Sequence, residues 1–432
     1  MAVLYEHDFS EVANGTNLTA VTPTVGSALV KHPDAAANLI VQDGLLGADG
    51  AAEYITQVAA NDSNIALDAL LSITSVSPST FTSSFLHTQH DPTAGQAGVG
   101  YSSLQPWFQQ RAGIYNNSSV DNTVDEIVWP NGEEVWVRYE QQGNWLRVFV
   151  NGCEAMRRYI SGTPLTSYRL GVGTQNASSG DNFVKFRTLR METGESTRKQ
   201  VTWYGDSLTR GQILGGYAPF FQTAPSLLAD ALGGGESVDV VNMGRPGAAI
   251  ANIVQYATET VGSSASPDDF RFGGRLTHRP SASNFAIVWT LTNDVLLTGY
   301  SVPQTAAQMV AAVEDFCDDL RADGVEKILA IGITHSEHPD YGNPHTPTYN
   351  ATVDDVNSLL SESSHVDSFL NLMDYAEFQD SEDTDWFADK LHLTLAGYAR
   401  VADLVYDIVN PWVNPVTVNL NGFSFPLFEA VR

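Results

Sequence analysis

The sequence predicts two domains of different class, an all-β domain followed by an α/β domain with a parallel sheet. The length of 432 residues exceeds that of a usual single domain. Short runs with strand-like alternation fill the chain up to about Arg198, whereas strand and helix patterns alternate after it. The hydrophobic share of 43% is ordinary for a globular protein, so neither half is expected to be disordered.

The first domain, residues 1–197, is predicted from strand and hairpin patterns. In EEVWVRYEQQGNWLRVFVNGCEAMRRYI, Val135, Val137 and Tyr139 occupy alternate positions, as on one face of a strand. The pairs Asp43-Gly44 and Asn151-Gly152 are of the kind that favours two-residue hairpin turns. Many short strands with little helical periodicity indicate a β-sandwich.

The second domain, residues 198–415, is predicted from alternating strands and helices, which give a parallel sheet wrapped by helices. The strand patterns are KQVTWYGD, SVDVVNMG, NFAIVWTLTND and EKILAIGIT. The helix patterns are APFFQTAPSLLADALGG, AIANIVQYATETVG, PQTAAQMVAAVEDFCDDLRADG, TPTYNATVDDVNSLLSES and LTLAGYARVADLVYDIV, the last with Thr394 as its cap. The polar segment METGESTRKQ, residues 191–200, is the expected boundary, and residues 416–432 are expected to form a β tail around Asn421-Gly422.

The charge balance excludes some partners. Fifty acidic residues against 22 basic ones give a formal charge of −28, which repels nucleic acid. An acidic, lysine-poor surface suits high salt, so a halophilic source is one interpretation and an acidic protein from an ordinary environment is the other. No stretch is long and apolar enough to predict membrane insertion, and the N-terminal residues lack the pattern of a secretory signal peptide.

Ser207, in VTWYGDSLTRGQ, stands where the first strand of the second domain ends. Ligands of open parallel sheets bind beyond the carboxyl ends of the strands, and Gly205 permits a sharp turn before the serine. Such a serine is either a helix cap, which is the commoner role, or a nucleophile. A nucleophilic serine needs a base, and the base needs a group that orients it.

Asp389 and His392, in WFADKLHLTLAGYAR, supply these two groups. In a turn, their spacing of three lets the carboxylate accept a hydrogen bond from Nδ1–H of the histidine, and Nε2 is then left as a base. Gly247 follows the second strand and Asn293 follows the third, on the same edge of the sheet as Ser207. Their backbone and amide N–H groups are therefore candidate donors to an oxyanion.

This ordered set resembles the SGNH hydrolase superfamily of GDSL esterases and lipases through the stretches GDSLTRG, NMGRPG, TND and DKLH. The resemblance implies a flavodoxin-like three-layer α/β/α domain and ester hydrolysis without a metal or other cofactor. It implies Ser207 as nucleophile, His392 as base and Asp389 as its orienting group, with an oxyanion hole formed by Ser207, Gly247 and Asn293. Leu291 departs from the family, which usually has glycine two residues before the asparagine, and is expected to narrow or reshape the site.

Further residues near these motifs have two interpretations each. Arg210, Arg245 and Asp206 are candidate substrate-binding residues, although the arginines also fit a solvated surface, and Asp206 and Asp294 also fit a role in holding loops. The segment THSEHPDYGNPHTPTYN could bind a metal or form a loop lining the cleft; we favour the loop because zinc-site spacing is not met. His87 and His90 could bind a metal between strands, but we interpret them as surface histidines. Trp203 is expected to pack in the core.

The N-terminal stretch DFSEVANGTNLTAVTPTVGSALVKHP resembles the openings of phage and virus tail proteins that carry a jelly-roll, concanavalin-like sandwich. We therefore expect a serine O-acetylesterase that acts on surface glycan, located on a virion or outside the cell, with a homo-oligomer or virion proteins as partners. The alternative is a non-catalytic receptor-binding or structural virion protein that uses the hydrolase fold as a scaffold. A lipase or thioesterase is less favoured, because Thr209, Arg210, Gln212 and Asn293 predict a polar cleft mouth.

Overall fold

The computed structural model describes residues 2–31, 39–48, 52–55, 60–73, 83–87, 102–107, 111–116, 119–122, 132–143, 145–159, 167–168, 171–175, 184–258, 282–297, 304–337, 346–420 and 423–427. The described residues divide into two compact units, with the division between Thr197 and Arg198. This division falls in the polar segment METGESTRKQ.

The described part of the first unit consists of β-strands and a 3-10 turn at Leu18–Ala20. The strands are β1 Ala2–Asp8, β2 Val30–Lys31, β3 Leu39–Gln42, β4 Leu45–Ala48, β5 Ala52–Ile55, β6 Ala60–Asn61, β7 Asn64–Ile73, β8 Ser83–His87, β9 Ser102–Trp107, β10 Arg111–Asn116, β11 Ser119–Asn122, β12 Glu134–Gln142, β13 Trp145–Val150, β14 Cys153–Tyr159, β15 Ser167–Tyr168, β16 Gly171–Gln175 and β17 Val184–Thr193.

Two sets of neighbouring strands organise this unit. One runs β14-β13-β12-β7-β17-β4-β3, with β1 also paired to β17, and the other runs β11-β10-β9-β8-β16-β5-β2. On β12, Val135, Val137 and Tyr139 are all buried. Arg138 and Glu140 between them are buried too, so burial on this strand does not follow the alternation seen in the sequence. The jelly-roll, concanavalin-like identity of the unit stays a prediction.

Both predicted hairpins of the first unit are present. Gln42 pairs with Leu45 across the Asp43-Gly44 turn, and Val150 pairs with Cys153 across Asn151-Gly152. The central φ angles are 54° and 70° in the first turn and 44° and 74° in the second. Positive φ at both central residues is the geometry of a type I′ turn, whose twist matches that of the flanking strands.

The second unit is an α/β structure with a five-stranded parallel sheet. Its strands are β18 Lys199–Gly205, β19 Gln212–Ile213, β20 Gly216–Tyr217, β21 Val238–Gly244, β22 Asn284–Trp289, β23 Val325–Ile331, β24 Ser368–Leu370, β25 Val416–Leu420 and β26 Phe423–Leu427. Its helices are α1 Ser207–Arg210, α2 Ala224–Ala231, α3 Ile250–Thr258, α4 Thr292–Leu297, α5 Ala306–Ala322, α6 Thr346–Glu362 and α7 Leu395–Val413.

The parallel strands lie in the order β24-β23-β22-β18-β21. Numbered along the chain, this is the 2-1-3-4-5 order of flavodoxin-like sheets, as predicted. The chain crosses the sheet in one direction from β18 to β21 and in the opposite direction from β21 to β22, β23 and β24. Because parallel crossovers are right-handed, α2 lies on one face of the sheet and α3, α5 and α6 lie on the other. The last helix, α7, packs against α2. The sheet is therefore covered on both faces, and every residue of β22 is buried.

Several elements differ from the predictions. The predicted helix over 218–234 is a 3-10 turn at Phe220–Gln222 followed by α2, because Pro225 is tolerated only in the first turn of a helix. The predicted strand over 284–294 ends at Trp289, and α4 begins at Thr292. The strand β24 was not predicted, since three residues carry too little periodicity to reveal it. In the tail, β25 and β26 pair as a hairpin, and the Asn421-Gly422 turn lies outside the described residues.

Candidate active site

Ser207 follows β18, the first strand of the parallel sheet along the chain, at the point where the order of the sheet reverses. The strand β18 ends at Gly205, Asp206 is the N-cap residue, and Ser207 opens the short helix α1. This sharp turn needs glycine, because a Cβ atom at Gly205 would lie 2.1 Å from Thr209 Oγ1 and from the Trp289 carbonyl oxygen. The switch point of a parallel sheet is where ligands bind in this fold class, so the serine is presented at the expected edge.

Ser207, His392 and Asp389 form a continuous hydrogen-bonded chain. Ser207 Oγ lies 2.9 Å from His392 Nε2, and His392 Nδ1 lies 2.8 Å from Asp389 Oδ2. A carboxylate only accepts hydrogen bonds, so Nδ1 carries the proton and Nε2 can accept from the serine hydroxyl. Ser207 and His392 are only 6% and 3% exposed, which keeps the chain largely out of bulk water.

The turn from Asp389 to His392 holds the carboxylate by three hydrogen bonds. Besides the ring Nδ1–H, the backbone N–H groups of Leu391 and His392 donate to Asp389 Oδ1 at 3.1 and 2.6 Å. Partial burial alone would raise the pKa of Asp389. The hydrogen bonds and the charge of His392 outweigh burial and hold this pKa below its usual value. The carboxylate is therefore ionised wherever the histidine is needed as a base.

Asp206 does not lie at a substrate surface, which corrects its assignment as a substrate-binding residue. Its side chain is fully buried, and Oδ1 accepts the Leu208 N–H at 3.0 Å, as an N-cap residue does. Its Oδ2 atom has no hydrogen-bond partner among the described residues. Burial raises the pKa of Asp206 to about 7, with Asp294 adding to the rise, while the Leu208 bond, the His392 charge and the neighbouring Thr292 hydroxyl lower it.

Gly247 and Asn293, the two further candidates for the oxyanion hole, lie on segments that a hydrogen bond joins. Asn293 donates from Nδ2 to the Ala248 carbonyl oxygen at 3.1 Å, and Gly247, with φ of +74°, is exposed beside it. An amide nitrogen carries two hydrogens, so one donor of Asn293 is used to fix the loop and one remains. Asp294 accepts the Ile250 N–H at 3.0 Å, which agrees with its expected role in holding this loop.

Leu291 stands in the backbone conformation of the glycine that it replaces. Its φ of +79° lies in the left-handed region, which is strained for any residue except glycine, asparagine or aspartate. Its side chain is fully buried, so it faces the interior and does not narrow an open cleft. At this position a leucine therefore has the backbone conformation that a glycine would adopt without strain.

Arg210 and Arg245, the other candidate substrate-binding residues, are both partly exposed. The Arg210 guanidinium lies 5.3 Å from the ring centre of Tyr217, and Tyr217 belongs to the hairpin β19–β20 that follows α1. Tyr398 anchors this hairpin by donating from its hydroxyl to the Gln212 carbonyl oxygen at 2.6 Å. Thr209, which was expected at the cleft mouth, is fully buried.

The metal-site interpretation finds no support in the part of the chain that the structure describes, where no cluster of potential ligands occurs. His335 Nε2 lies 2.8 Å from Asp354 Oδ1, which is a single ion pair. His338, Asp340 and His345 lie outside the described residues, as does His90, and nothing is described of the His87 side chain. Among the described residues, no helix combines the length and hydropathy needed to cross a membrane.

Sequence reasoning found the three hydrogen-bonded residues and missed one contact beside them. Ser336, in the loop after β23, donates from Oγ to the Lys390 carbonyl oxygen at 2.8 Å. Lys390 lies inside the Asp389–His392 turn and has a left-handed φ of +69°. A serine after a strand carries no signal that would have marked this contact.

Comparisons with known proteins agree with the geometry. Residues 203–400 match the model of the GDSL-like Lipase/Acylhydrolase family. No curated protein matches the chain in sequence. Because the matched segment contains Ser207, Asp389 and His392, the family match and the hydrogen-bonded chain together define a serine hydrolase of carboxylic esters.

Solved structures with similarity to parts of the chain include two esterases and a carbohydrate recognition domain. The acetyl xylan esterase AlAXEase is 16% identical with a TM-score of 0.35, covering 49% of this chain and 99% of that one. A carbohydrate acetylesterase family member from Sinorhizobium meliloti is 19% identical with a TM-score of 0.37, covering 50% and 99%. The carbohydrate recognition domain of Emp47p is 13% identical with a TM-score of 0.32, covering 44% and 95%. Since these TM-scores are below 0.5, we draw no conclusion from them.

Proposed function

We propose that the protein is a serine O-acetylesterase that removes acetyl groups from surface glycan. In this proposal Ser207 is the nucleophile, His392 the general base and Asp389 the group that orients the histidine. The observation that carries the proposal is the continuous chain from Ser207 Oγ to His392 Nε2 and from His392 Nδ1 to Asp389 Oδ2, with both distances below 3 Å.

The proposed reaction has two halves. In the first, His392 Nε2 takes the Ser207 proton as Oγ attacks the ester carbonyl carbon, and the sugar hydroxyl leaves with that proton. In the second, water attacks the acetyl-serine, His392 accepts a water proton, and the proton returns to Ser207 Oγ as acetate leaves. The negative charge on the carbonyl oxygen in both halves would be held by N–H groups of Ser207, Gly247 and Asn293.

The substrate class is proposed from the surface beside Ser207. Arg210 is the last residue of α1, which begins at Ser207, and Tyr217 belongs to the hairpin that follows α1. Both side chains are partly exposed. An aromatic ring with a cation on one face suits a hydroxyl-rich sugar ring better than a flexible alkyl chain. Leu214, 71% exposed at the hairpin tip, adds an apolar contact that a long acyl chain could also use, so acyl length needs a direct test.

The setting of the enzyme is proposed from the opening of the chain and from its net charge. The opening of the chain resembles virus tail proteins, so we propose that the first unit binds glycan or attaches the protein to a virion, and that the protein acts on a virion or outside the cell. A formal charge of −28 with 22 basic residues supports activity at high salt. Copies of this chain or virion proteins would be its partners.

The test is hydrolysis of p-nitrophenyl acetate, p-nitrophenyl octanoate and an O-acetylated polysaccharide by the wild type and by Ser207→Ala. We expect acetate release by the wild type, strong preference for the acetyl over the octanoyl ester, and loss of at least about 10³-fold in kcat in the variant. Ser358→Ala, an exposed serine on α6, is the matched control. Running each assay in low and in molar salt tests the halophilic interpretation.

The outcomes separate the candidate functions. Preference for the octanoyl ester would replace the acetylesterase by a lipase. A wild-type protein that is folded by circular dichroism yet inactive at both salt concentrations would favour the non-catalytic virion protein. Tyr217→Ala is expected to lower the ratio of polysaccharide to p-nitrophenyl acetate turnover about 5-fold, which is roughly 1 kcal/mol of lost sugar contact; an unchanged ratio would remove Tyr217 from the substrate surface.

A further inference from the structure

The turn that carries Asp389 and His392 contains a strained residue. Lys390 has φ of +69°, in the left-handed region where a side chain strains the backbone. Its own side chain points to the surface, where Nζ pairs with Glu382. Burial of the side chain therefore cannot hold this conformation, and the backbone needs another restraint.

The restraint acts on one peptide unit from both of its sides. The Lys390 carbonyl and the Leu391 N–H belong to the same planar unit, so the direction of one fixes the direction of the other. Leu391 N–H donates to Asp389 Oδ1 at 3.1 Å, and Ser336 Oγ donates to the Lys390 carbonyl oxygen at 2.8 Å. A rotation of this unit would break both bonds and leave Asp389 Oδ1 with the His392 N–H as its remaining backbone donor.

Ser336 is itself held in place. It is only 5% exposed, and its backbone N–H donates to Asn350 Oδ1 of α6 at 3.0 Å. Two residues earlier, the Thr334 carbonyl oxygen accepts the Tyr349 hydroxyl of the same helix at 3.4 Å. The loop after β23 is thus tied to α6, and the Ser336 hydroxyl presents a fixed donor to the Asp389–His392 turn.

We propose that Ser336 is a positioning residue for the reaction: through the peptide unit between Lys390 and Leu391, its hydroxyl sets the Asp389 carboxylate against His392. The proposal rests on the roles given above to Asp389 and His392. Ser336 does not touch the ester. It lowers the fraction of molecules in which the Asp389–His392 turn holds the carboxylate in another orientation.

Ser336→Ala tests this in three backgrounds, with the native Lys390, with Lys390→Ala and with Lys390→Gly. We expect kcat for p-nitrophenyl acetate to fall about 5- to 20-fold with KM unchanged within twofold, as for one lost buried hydrogen bond of roughly 1–2 kcal/mol. The fall should persist with alanine at 390, which keeps the strain, and shrink below threefold with glycine, which adopts positive φ freely. Ser336→Thr, which keeps the hydroxyl, should restore most of kcat.

Ser361→Ala is the matched control, since its hydroxyl also donates to a backbone carbonyl, on the exposed end of α6. An equal fall of kcat in all three backgrounds, or a change confined to KM, would overturn the proposal. The downfield proton resonance of His392 Nδ1–H gives a readout without substrate. A resonance altered by Ser336→Ala in a protein without esterase activity would keep the positioning role and reject the proposed function, whereas an unaltered one would reject the role.

Discussion

Two loops that border Ser207 each contain a residue in the left-handed backbone region, and the two are held in different ways. Leu291 lies between β22 and α4, and its side chain has no exposed surface. Lys390 lies between Asp389 and His392, and its side chain reaches the surface. Their φ angles, +79° and +69°, are nearly the same.

The difference shows two physical means of keeping strain next to a reactive site. A buried leucine side chain contributes about 1.5–3 kcal/mol, enough to outweigh the strain at Leu291. At Lys390 the compensation is polar, from Ser336 on one side of the peptide unit and Asp389 on the other. Asp206 is coupled to both loops, because Thr292 beside Leu291 and His392 beside Lys390 each lower its pKa. Substitutions in the two loops should therefore differ in their effects on kcat and on the free energy of unfolding.

The largest effect is expected from breaking the polar loop at its carboxylate. Asp389→Asn keeps the size of the side chain but removes the charge that fixes Nδ1–H of His392, so the histidine can present the wrong nitrogen to Ser207. We expect kcat to fall by about 10³- to 10⁴-fold with a folded protein, measured with p-nitrophenyl acetate. The control is Asp383→Asn, a carboxylate that also accepts a backbone N–H but has no histidine partner. A loss below 10-fold would show that Asp389 does not orient the base.

The next effect concerns Asp206 and depends on pH. Its pKa in the folded protein is about 7, above the usual 3.8, so the folded state holds a proton that the unfolded state has lost between these values. The stability contributed by this group is present below pH 4 and is lost as pH rises to 7, by roughly 1.4 kcal/mol per unit or about 4 kcal/mol at most. Asp206→Asn still caps α1 and does not titrate, so it should gain stability relative to wild type over this range in urea unfolding.

Asp389 provides the mirror image of that measurement. Its pKa is lowered in the folded protein, so its contribution is present above the usual pKa and is lost as pH falls through the lowered value. Relative to wild type, Asp389→Asn should therefore gain stability as pH falls, whereas Asp206→Asn gains as pH rises. Two parallel pH profiles would contradict the opposite environments of these carboxylates.

The sequence was informative about the parts of the site that are close in the chain or follow strands. Ser207 follows β18, and Asp389 and His392 are three residues apart, so each could be placed by spacing alone. The parallel sheet wrapped by helices followed from the alternation of strands and helices, whereas its flavodoxin-like order was implied by the resemblance to a known family. These features depend on local patterns, which a sequence displays directly.

Contacts between distant segments could be predicted only where a motif marks both partners, as for Ser207 and His392. Ser336 bonds to Lys390 across 54 positions, and a hydroxyl after a strand has no pattern that names its partner. Leucine disfavours positive φ, so nothing at Leu291 signals that β22 has ended and α4 is beginning. Asp206 was a candidate both for binding substrate and for holding a loop, because sequence does not show that a cap beside the nucleophile is fully buried. In each case tertiary packing overrides local preference.

A smaller effect is expected from Leu291, and its sign tests how that loop is held. Leu291→Ala removes the buried side chain and keeps the strain, at a cost of about 2–5 kcal/mol. Leu291→Gly removes both, so we expect it to be roughly 1 kcal/mol more stable than the alanine variant, opposite to the usual order of the two residues. Urea unfolding of both variants measures the difference. An alanine variant more stable than the glycine variant would show that the backbone is not strained at this position.

The smallest effect is expected at Lys390, where glycine should stabilise the protein outright. No buried side chain is lost, so Lys390→Gly relieves the left-handed strain and gives up only the surface pair with Glu382, which contributes little. Allowing for the greater freedom of glycine in the unfolded chain, we expect a gain of about 0.5–1 kcal/mol over wild type and about 1 kcal/mol over Lys390→Ala. The Ala variant isolates the backbone term, because both variants lose the same ion pair. A Lys390→Gly variant less stable than wild type, as is expected of Leu291→Gly, would contradict this. Both loops would then be held by packing, and the polar restraint from Ser336 would be unnecessary.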